Sequence, residues 1–374
     1  MDGVQRLAAS GVSVWLDDLG RDRLLSGELT ELVARGVCGV TTNPSIFAAA
    51  VSSGTAYARQ LAALAESTPE QALHALMVAD VQDACDVLRG VFADSAFLDG
   101  RVSLEGDPRL AFDTEATVDA AAQVWADVDR PNVMVKIPAT RSGLPAITET
   151  LAAGISVNVT LIFGRERYLD VQDAWLSGLE AARAAGHDLG SIGSVASFFV
   201  SRLDTAIDGR LDAMAAAGSV DAHTHQRLRG RAAVANARTA YRAFRQLLAD
   251  DRWSALASAG AQPQRPLWAS TSTKDPTFAA TRYVEELVAP QTVNTMPAPT
   301  LKAVGASSDQ WPVAIGLADE DAAADTGLFG ELAEVGIDYQ QVVAELEDAG
   351  VASFMDAWNT LLDLVRSTQR SRLR

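Results

Sequence analysis

Lysine is nearly missing from this sequence. The chain carries 31 lysines and arginines together, yet only Lys136, Lys274 and Lys302 are lysine. Arginine cannot lose its proton in a protein and forms no imine, so any amine chemistry must come from one of three residues. Cysteine is just as scarce. Cys38 and Cys85 have neither the number nor the spacing of a disulfide framework or a zinc site. The four histidines, His74, His187, His223 and His225, give no metal-ligand pattern, and the last two are spaced so that they do not share a helix face. No apolar run approaches the length of a membrane span. The first ten residues carry Asp2 and Arg6 and no apolar signal core, so a cytoplasmic protein is expected. No glycine-rich strand-to-helix loop of the dinucleotide or phosphate-loop kind occurs. Positive charge is also in short supply. A net charge of −17 repels nucleic acid and anionic membranes, so neither is an expected partner. An anionic ligand would then need a local cationic cluster.

What is present is an alternation of strands and helices. Strands are expected at Val12 to Asp17, Cys38 to Thr42, Arg101 to Glu105 and Asn132 to Ile137. Four more are expected at Ser156 to Phe163, Ile192 to Ser197, Pro266 to Thr271 and Thr292 to Met296. Helices between them are predicted over Leu29 to Arg35, Pro69 to Arg89, Thr117 to Val128, Arg165 to Ala185 and Thr277 to Val288. Thr68, Pro69 and Gln71 form a capping box for the second of these. Alternating elements imply a parallel sheet, and eight units imply closure into a (β/α)8 TIM barrel. An open doubly wound sheet is the alternative. Helical additions are expected around residues 201–257 and 303–374, the latter including Tyr339 to Glu347 and Phe354 to Val365. Both should pack on the barrel, so that residues 1–374 form one domain.

The strands alternate in an unusual way. A parallel strand covered by helices should be apolar on both faces. Here Ser13, Trp15 and Asp17 oppose Val12, Val14 and Leu16. Ser103 and Glu105 oppose Val102 and Leu104, and Ser156, Asn158 and Thr160 oppose Val157, Val159 and Leu161. If the apolar sets meet the outer helices, several polar side chains point at the barrel axis. Lys136, in Val133-Met134-Val135-Lys136-Ile137-Pro138-Ala139-Thr140, is among them. Burial favours a neutral amine, which is a nucleophile toward ketones. The plain alternative is a lysine paired with a buried carboxylate such as Glu105. Asp17, in Trp15-Leu16-Asp17-Asp18, suits acid–base work at a strand end, or equally a helix cap. Glu105 suits either the orientation of a water or the counter-ion role.

Four segments together resemble the transaldolase family. They are Thr41-Thr42-Asn43-Pro44-Ser45-Ile46, Val133 to Thr140, Ser156-Val157-Asn158-Val159-Thr160-Leu161-Ile162-Phe163, and Ser197-Phe198-Phe199-Val200-Ser201-Arg202. The resemblance runs from about residue 11 to residue 300. It implies a class I aldolase on a (β/α)8 barrel, with no metal and no organic cofactor. It implies that Lys136 forms the Schiff base and that Asp17 is the acid–base aspartate. It implies that Glu105 and Thr160 hold the catalytic water. Asn43 and Asn158, with Thr42 beside the first, would bind substrate hydroxyls. Ser197 and Arg202 match the sixth-strand substrate-binding region, where the arginine would bind substrate phosphate. Ser270 and Lys274 resemble a second phosphate-binding group, although Ser272 stands where many relatives have arginine. Phe198 stands where the family usually has proline.

The resemblance further implies sugar-phosphate partners and transfer of dihydroxyacetone from sedoheptulose 7-phosphate to glyceraldehyde 3-phosphate in the pentose phosphate pathway. A monomer or a homodimer is expected. Fructose-6-phosphate aldolases, which resemble this family, carry glutamine at the place of Glu105 and tyrosine at the place of Phe199. A lyase of that kind is the nearest alternative. A sugar-phosphate-binding barrel without catalysis is the other.

Overall fold

Eight parallel strands close into a barrel in sequence order, with β8 returning to pair with β1. The computed structural model describes residues 2–53, 55–308 and 310–372. The strands are β1 Val12–Asp17, β2 Gly39–Thr41, β3 Arg101–Glu105 and β4 Val133–Pro138. The remaining four are β5 Val157–Ile162, β6 Ser194–Phe199, β7 Arg265–Ala269 and β8 Thr292–Met296. All eight lie where the alternation placed them. Their ends differ by a few residues: β2 is shorter, β6 runs on to Phe199, and β7 stops at Ala269. The open doubly wound sheet is thereby excluded.

The polar parity faces the axis, and its groups bond to one another as burial requires. Near the N-terminal rim, Arg101 donates to Ser156 (3.1 Å), while Arg265 donates to Ser13 and to Asp99 (2.9 Å). Above them Asn158 donates to Ser103 (2.9 Å) and accepts from Ser197 (2.7 Å). Trp15 fills the axis beside Gly39, where a Cβ would overlap its ring. On the outside, Val12, Val14, Leu16, Val102, Leu104, Val133, Val135, Val157 and Val159 are buried. Burial of this apolar face against the helices supplies the main driving force for closure.

Helices occupy Glu28–Ala34, Pro69–Val87, Thr114–Val128 and Arg165–Ala184, within a few residues of expectation. The capping box forms as read: the Gln71 N–H bonds the Thr68 hydroxyl, and the Thr68 N–H bonds the Gln71 side chain. Two expectations fail. The helix expected over Thr277 to Val288 shrinks to a single turn, Arg282–Glu285. The Asp275 carboxylate takes the Thr277 N–H (2.8 Å) and hydroxyl (2.7 Å), which holds a tight turn, and Phe278 lies under the Arg282 guanidinium at 3.9 Å. The two tail helices are one continuous helix, Tyr339–Arg372. Gly350 sits inside it because the helix approaches the barrel closely there. A Cβ at Gly350 would stand 3.2 Å from both Leu161 and Phe163.

The insertion around 201–257 forms four helices, Ser201–Ala216, Ala222–Leu228, Ala232–Leu247 and Asp251–Ala257. The C-terminal helix packs on helices Pro44–Ser53, Pro69–Val87 and Ser201–Ala216 and on β5. It therefore crosses the C-terminal mouth of the barrel, the end at which barrel enzymes carry their sites. Among the described residues no helix is long and apolar enough to cross a membrane.

Candidate active site

A cavity of about 190 Å³ opens at that mouth. Asp17, Thr41, Asn43, Lys136, Thr160, Ser197, Phe199 and Arg202 line one part of it; Ser270, Ser272, Lys274, Thr295 and Phe354 line the rest. A larger open groove shares Asp17, Asn43 and Pro297 with it and continues outward over Arg21 and Arg23.

Lys136 lies near the C-terminal end of β4, two residues before Pro138, with its amine inside the cavity. The side chain is nearly buried, and Nζ donates to the Thr42 carbonyl (2.9 Å) and to Glu105 Oε2 (3.3 Å). The register explains the pairing, because Glu105 of β3 lies directly opposite Lys136. Burial pushes the Glu105 carboxyl up to about 6, against the opposing pull of the Lys136 charge. Among the described residues its other oxygen, Oε1, has no hydrogen-bond partner, and the buried Thr160 hydroxyl has none either. Unpaired buried polar atoms are rare and costly, and they mark places where a further group is accommodated.

Asp17 ends β1. Burial raises its pKa, and this is opposed by the nearby Lys136 charge and by the Thr41 hydroxyl, which donates to Oδ1 at 2.7 Å. Two carboxyls with raised pKa values therefore flank one amine. Asn43 accepts the Ile46 N–H at its side-chain oxygen (3.1 Å), which steadies the first turn of helix Pro44–Ser53 while the residue lines the cavity. Thr42 and Asn158 stand behind the lining. Thr42 offers its backbone carbonyl to Lys136 and spends its hydroxyl on Ser103. Asn158 is held between Ser103 and Ser197.

The opposite end of the cavity is cationic. Arg202, at the start of helix Ser201–Ala216, lies over the Phe199 ring at 5.5 Å. It has no carboxylate partner among the described residues, and burial lowers its pKa. Lys274 Nζ donates to the Ser272 hydroxyl (2.8 Å). Burial and the repulsion of Arg202 both lower its pKa, so the two cations face one region. Ser270, whose hydroxyl is 3.0 Å from that of Ser201, has a left-handed backbone with φ of 56°. Leu161 is left-handed too, at φ 59°, where β5 slips register just after Thr160. Such strain in residues with side chains is characteristic of functional sites. In a chain of charge −17, Arg202 and Lys274 form the local positive cluster that an anionic ligand requires.

Sequence reasoning did not find Thr41, Thr295 or Phe354. Thr295 carried a misleading signal, since its parity mate Val293 is apolar although both pair with the inward-facing Ser13 and Trp15 of β1. Phe354 carried none, because nothing local says which end of the barrel a tail helix will cross. The histidines lie elsewhere: His74 pairs with Asp127 and His225 with Asp212, each at 2.6 Å.

A family profile described as Transaldolase/Fructose-6-phosphate aldolase matches residues 14–365. Transaldolase 1 of Streptomyces avermitilis is 54% identical over 375 aligned positions, covering 100% of this chain and 97% of the relative. Transaldolase 1 of Streptomyces coelicolor is 55% identical, covering 99% of this chain and 95% of the relative. Transaldolase of Mycolicibacterium smegmatis is 52% identical, covering 96% and 95%. Full-length identity of this order, on an eight-stranded barrel with a buried lysine on β4, shows that the chain belongs to the transaldolase/fructose-6-phosphate aldolase family.

Proposed function

We propose that this protein is a transaldolase. It moves a dihydroxyacetone unit from sedoheptulose 7-phosphate to glyceraldehyde 3-phosphate, giving erythrose 4-phosphate and fructose 6-phosphate, through a Schiff base on Lys136. The observation that carries this reading is the placement of the Lys136 amine. It lies between Glu105 and the Thr42 carbonyl, in a cavity with Asp17 on one side and an Arg202–Lys274 cation pair on another. The proposed setting is the cytoplasm, with sugar phosphates as partners and no organic cofactor.

Glu105 takes the proton of the Lys136 ammonium, and the free amine attacks the C2 carbonyl of the ketose. The same proton leaves with the carbinolamine hydroxyl as water, which gives an iminium. Asp17 then takes the proton of the C4 hydroxyl. The C3–C4 bond breaks, its electron pair passes into the iminium, and erythrose 4-phosphate departs as the aldehyde. The enamine that remains attacks the aldehyde of glyceraldehyde 3-phosphate, and Asp17 returns its proton to the new alkoxide. A water held between Glu105 Oε1 and Thr160 Oγ1, the two orphaned acceptor and donor sites, hydrolyses the iminium. Asn43 bonds substrate hydroxyls from the lining, and Asn158 does so from just behind it. Arg202, Ser270 and Lys274 hold the phosphate, the guanidinium as a planar fork and the ammonium as a point charge.

Release of free dihydroxyacetone is the rival outcome. Glu105 and Phe199 follow the transferase pattern at the two positions that separate the groups. Phe354 also lines the cavity, and its ring would limit water access to the enamine. The test compares product formation with donor ketose alone and with added glyceraldehyde 3-phosphate. Transfer should dominate, with negligible dihydroxyacetone from donor alone. Steady dihydroxyacetone release without acceptor would make the protein a lyase.

A further inference from the structure

Asp17 is linked through one hydroxyl, that of Thr41, to the strands on both sides of β1. Thr41 Oγ1 of β2 lies 2.7 Å from Asp17 Oδ1 and 2.7 Å from Thr295 Oγ1 of β8. Both threonines are buried, and both line the cavity. A hydroxyl has one hydrogen to give, and an ionised carboxylate only accepts. Thr41 therefore directs its hydrogen to Asp17, and the hydrogen between the two hydroxyls must come from Thr295. The order of donation is Thr295 to Thr41 to Asp17. Oδ1 is thereby occupied, and Oδ2 is the carboxylate oxygen without a protein partner among the described residues. Threonine is stiff about its first side-chain bond, and both hydroxyls project from barrel strands, so the arrangement is preorganised.

We infer that Thr41 and Thr295 are positioning residues for the acid–base step, two hydroxyls donating in series that hold Asp17 with Oδ2 toward the substrate hydroxyl and favour its ionised form. This rests on the transaldolase reading. When the C4 O–H bond breaks, the proton passes to Oδ2, its electron pair becomes the new carbonyl bond, and the C3–C4 pair enters the iminium. Thr41 keeps its bond to Oδ1 throughout, so no hydroxyl has to turn during the step. Other charges also face Asp17. Lys136 of β4 and Lys274 of the segment after β7 favour the carboxylate, while Asp18 and Glu105 of β3 oppose it. None of these is altered when a threonine becomes valine, which nearly preserves shape and removes the hydroxyl.

The experiment uses the full chain with Thr41→Val, Thr41→Ser, Thr295→Val and the double valine variant. Two readouts are taken: single-turnover release of aldose from the donor ketose phosphate across pH, and borohydride trapping with dihydroxyacetone, which has no C3–C4 bond to break. Thr41→Val should slow release about tenfold and move its acid limb up by about one pH unit, the order expected for one lost hydrogen bond to a carboxylate. Trapping should persist, and Thr41→Ser should restore both rate and limb. Thr295→Val should give a smaller shift of the same sign, and it should add nothing in the Thr41→Val background. An unmoved limb in Thr41→Val, a serine variant no better than valine, or additive effects would overturn the inference. If the unaltered protein forms no adduct, the transaldolase reading itself fails. If it forms the adduct and transfers while the Thr41→Val limb stays in place, only the relay fails.

Discussion

Replacing Glu105 by glutamine separates its two proposed contributions, to proton transfer and to charge balance. The carboxyl is buried, and its pKa rises from 4.5 to about 6. At pH 7 about nine-tenths of it is ionised, and at pH 5 about one-tenth. The ionised form is the one that accepts the Lys136 proton. The rate of imine formation should therefore fall as pH drops through about 6, approaching tenfold per unit below it. Glutamine has the same shape and cannot take the proton. It also leaves the Lys136 amine, 3.3 Å away, without its counter-charge in a buried site. An unpaired buried charge costs several kcal/mol, so the variant should also be less stable. A positioned acid–base group contributes about 10²–10⁴-fold. The expected result is a fall in kcat of on the order of 10²-fold, a surviving slow Schiff base, and loss of the acid limb near pH 6. Any limb that remains belongs to Asp17. The assay is kcat and kcat/KM for transfer measured across pH for both proteins. A limb still at pH 6 in Glu105→Gln would refute the assignment of that titration to Glu105.

Two other replacements probe the ends of the cavity. Arg202→Ala removes a cation that has no carboxylate partner among the described residues, so its loss should raise KM for phosphorylated donors roughly 10–100-fold, while trapping with unphosphorylated dihydroxyacetone is little changed. Equal losses with both ligands would show that Arg202 supports the fold and not the phosphate. Phe354→Ala removes a buried ring from the C-terminal helix and should lower stability by about 3–5 kcal/mol, read by denaturant unfolding. The same variant should release more dihydroxyacetone from donor alone, because water reaches the enamine. Unchanged release would remove Phe354 from the account of transfer over hydrolysis.

The barrel was legible because its polar residues follow a period of two on strand after strand. Ser13, Trp15 and Asp17, then Ser103 and Glu105, then Asn158 and Thr160 mark the inner face without any knowledge of contacts. Lys136 stood out for the same reason, sharpened by the scarcity of other lysines. Longer-range geometry left little trace. The stretch from Thr277 to Val288 has helical composition, but the Asp275 side chain captures the Thr277 N–H and ends regular structure there. The tail reads as two helices, whereas it is one long helix in which Gly350 is a point of close approach to Leu161 and Phe163. Phe354 reaches the cavity only because that helix crosses the barrel mouth. The Thr295–Thr41–Asp17 chain joins residues far apart in sequence, and it exists only once β8 closes on β1.

The most direct measurement is reductive trapping followed by peptide mapping. Protein incubated with sedoheptulose 7-phosphate and sodium borohydride should gain one three-carbon adduct per chain, located on the peptide containing Lys136, and Lys136→Ala should gain none. An adduct on Lys274 or Lys302, or turnover that persists in Lys136→Ala, would contradict the account.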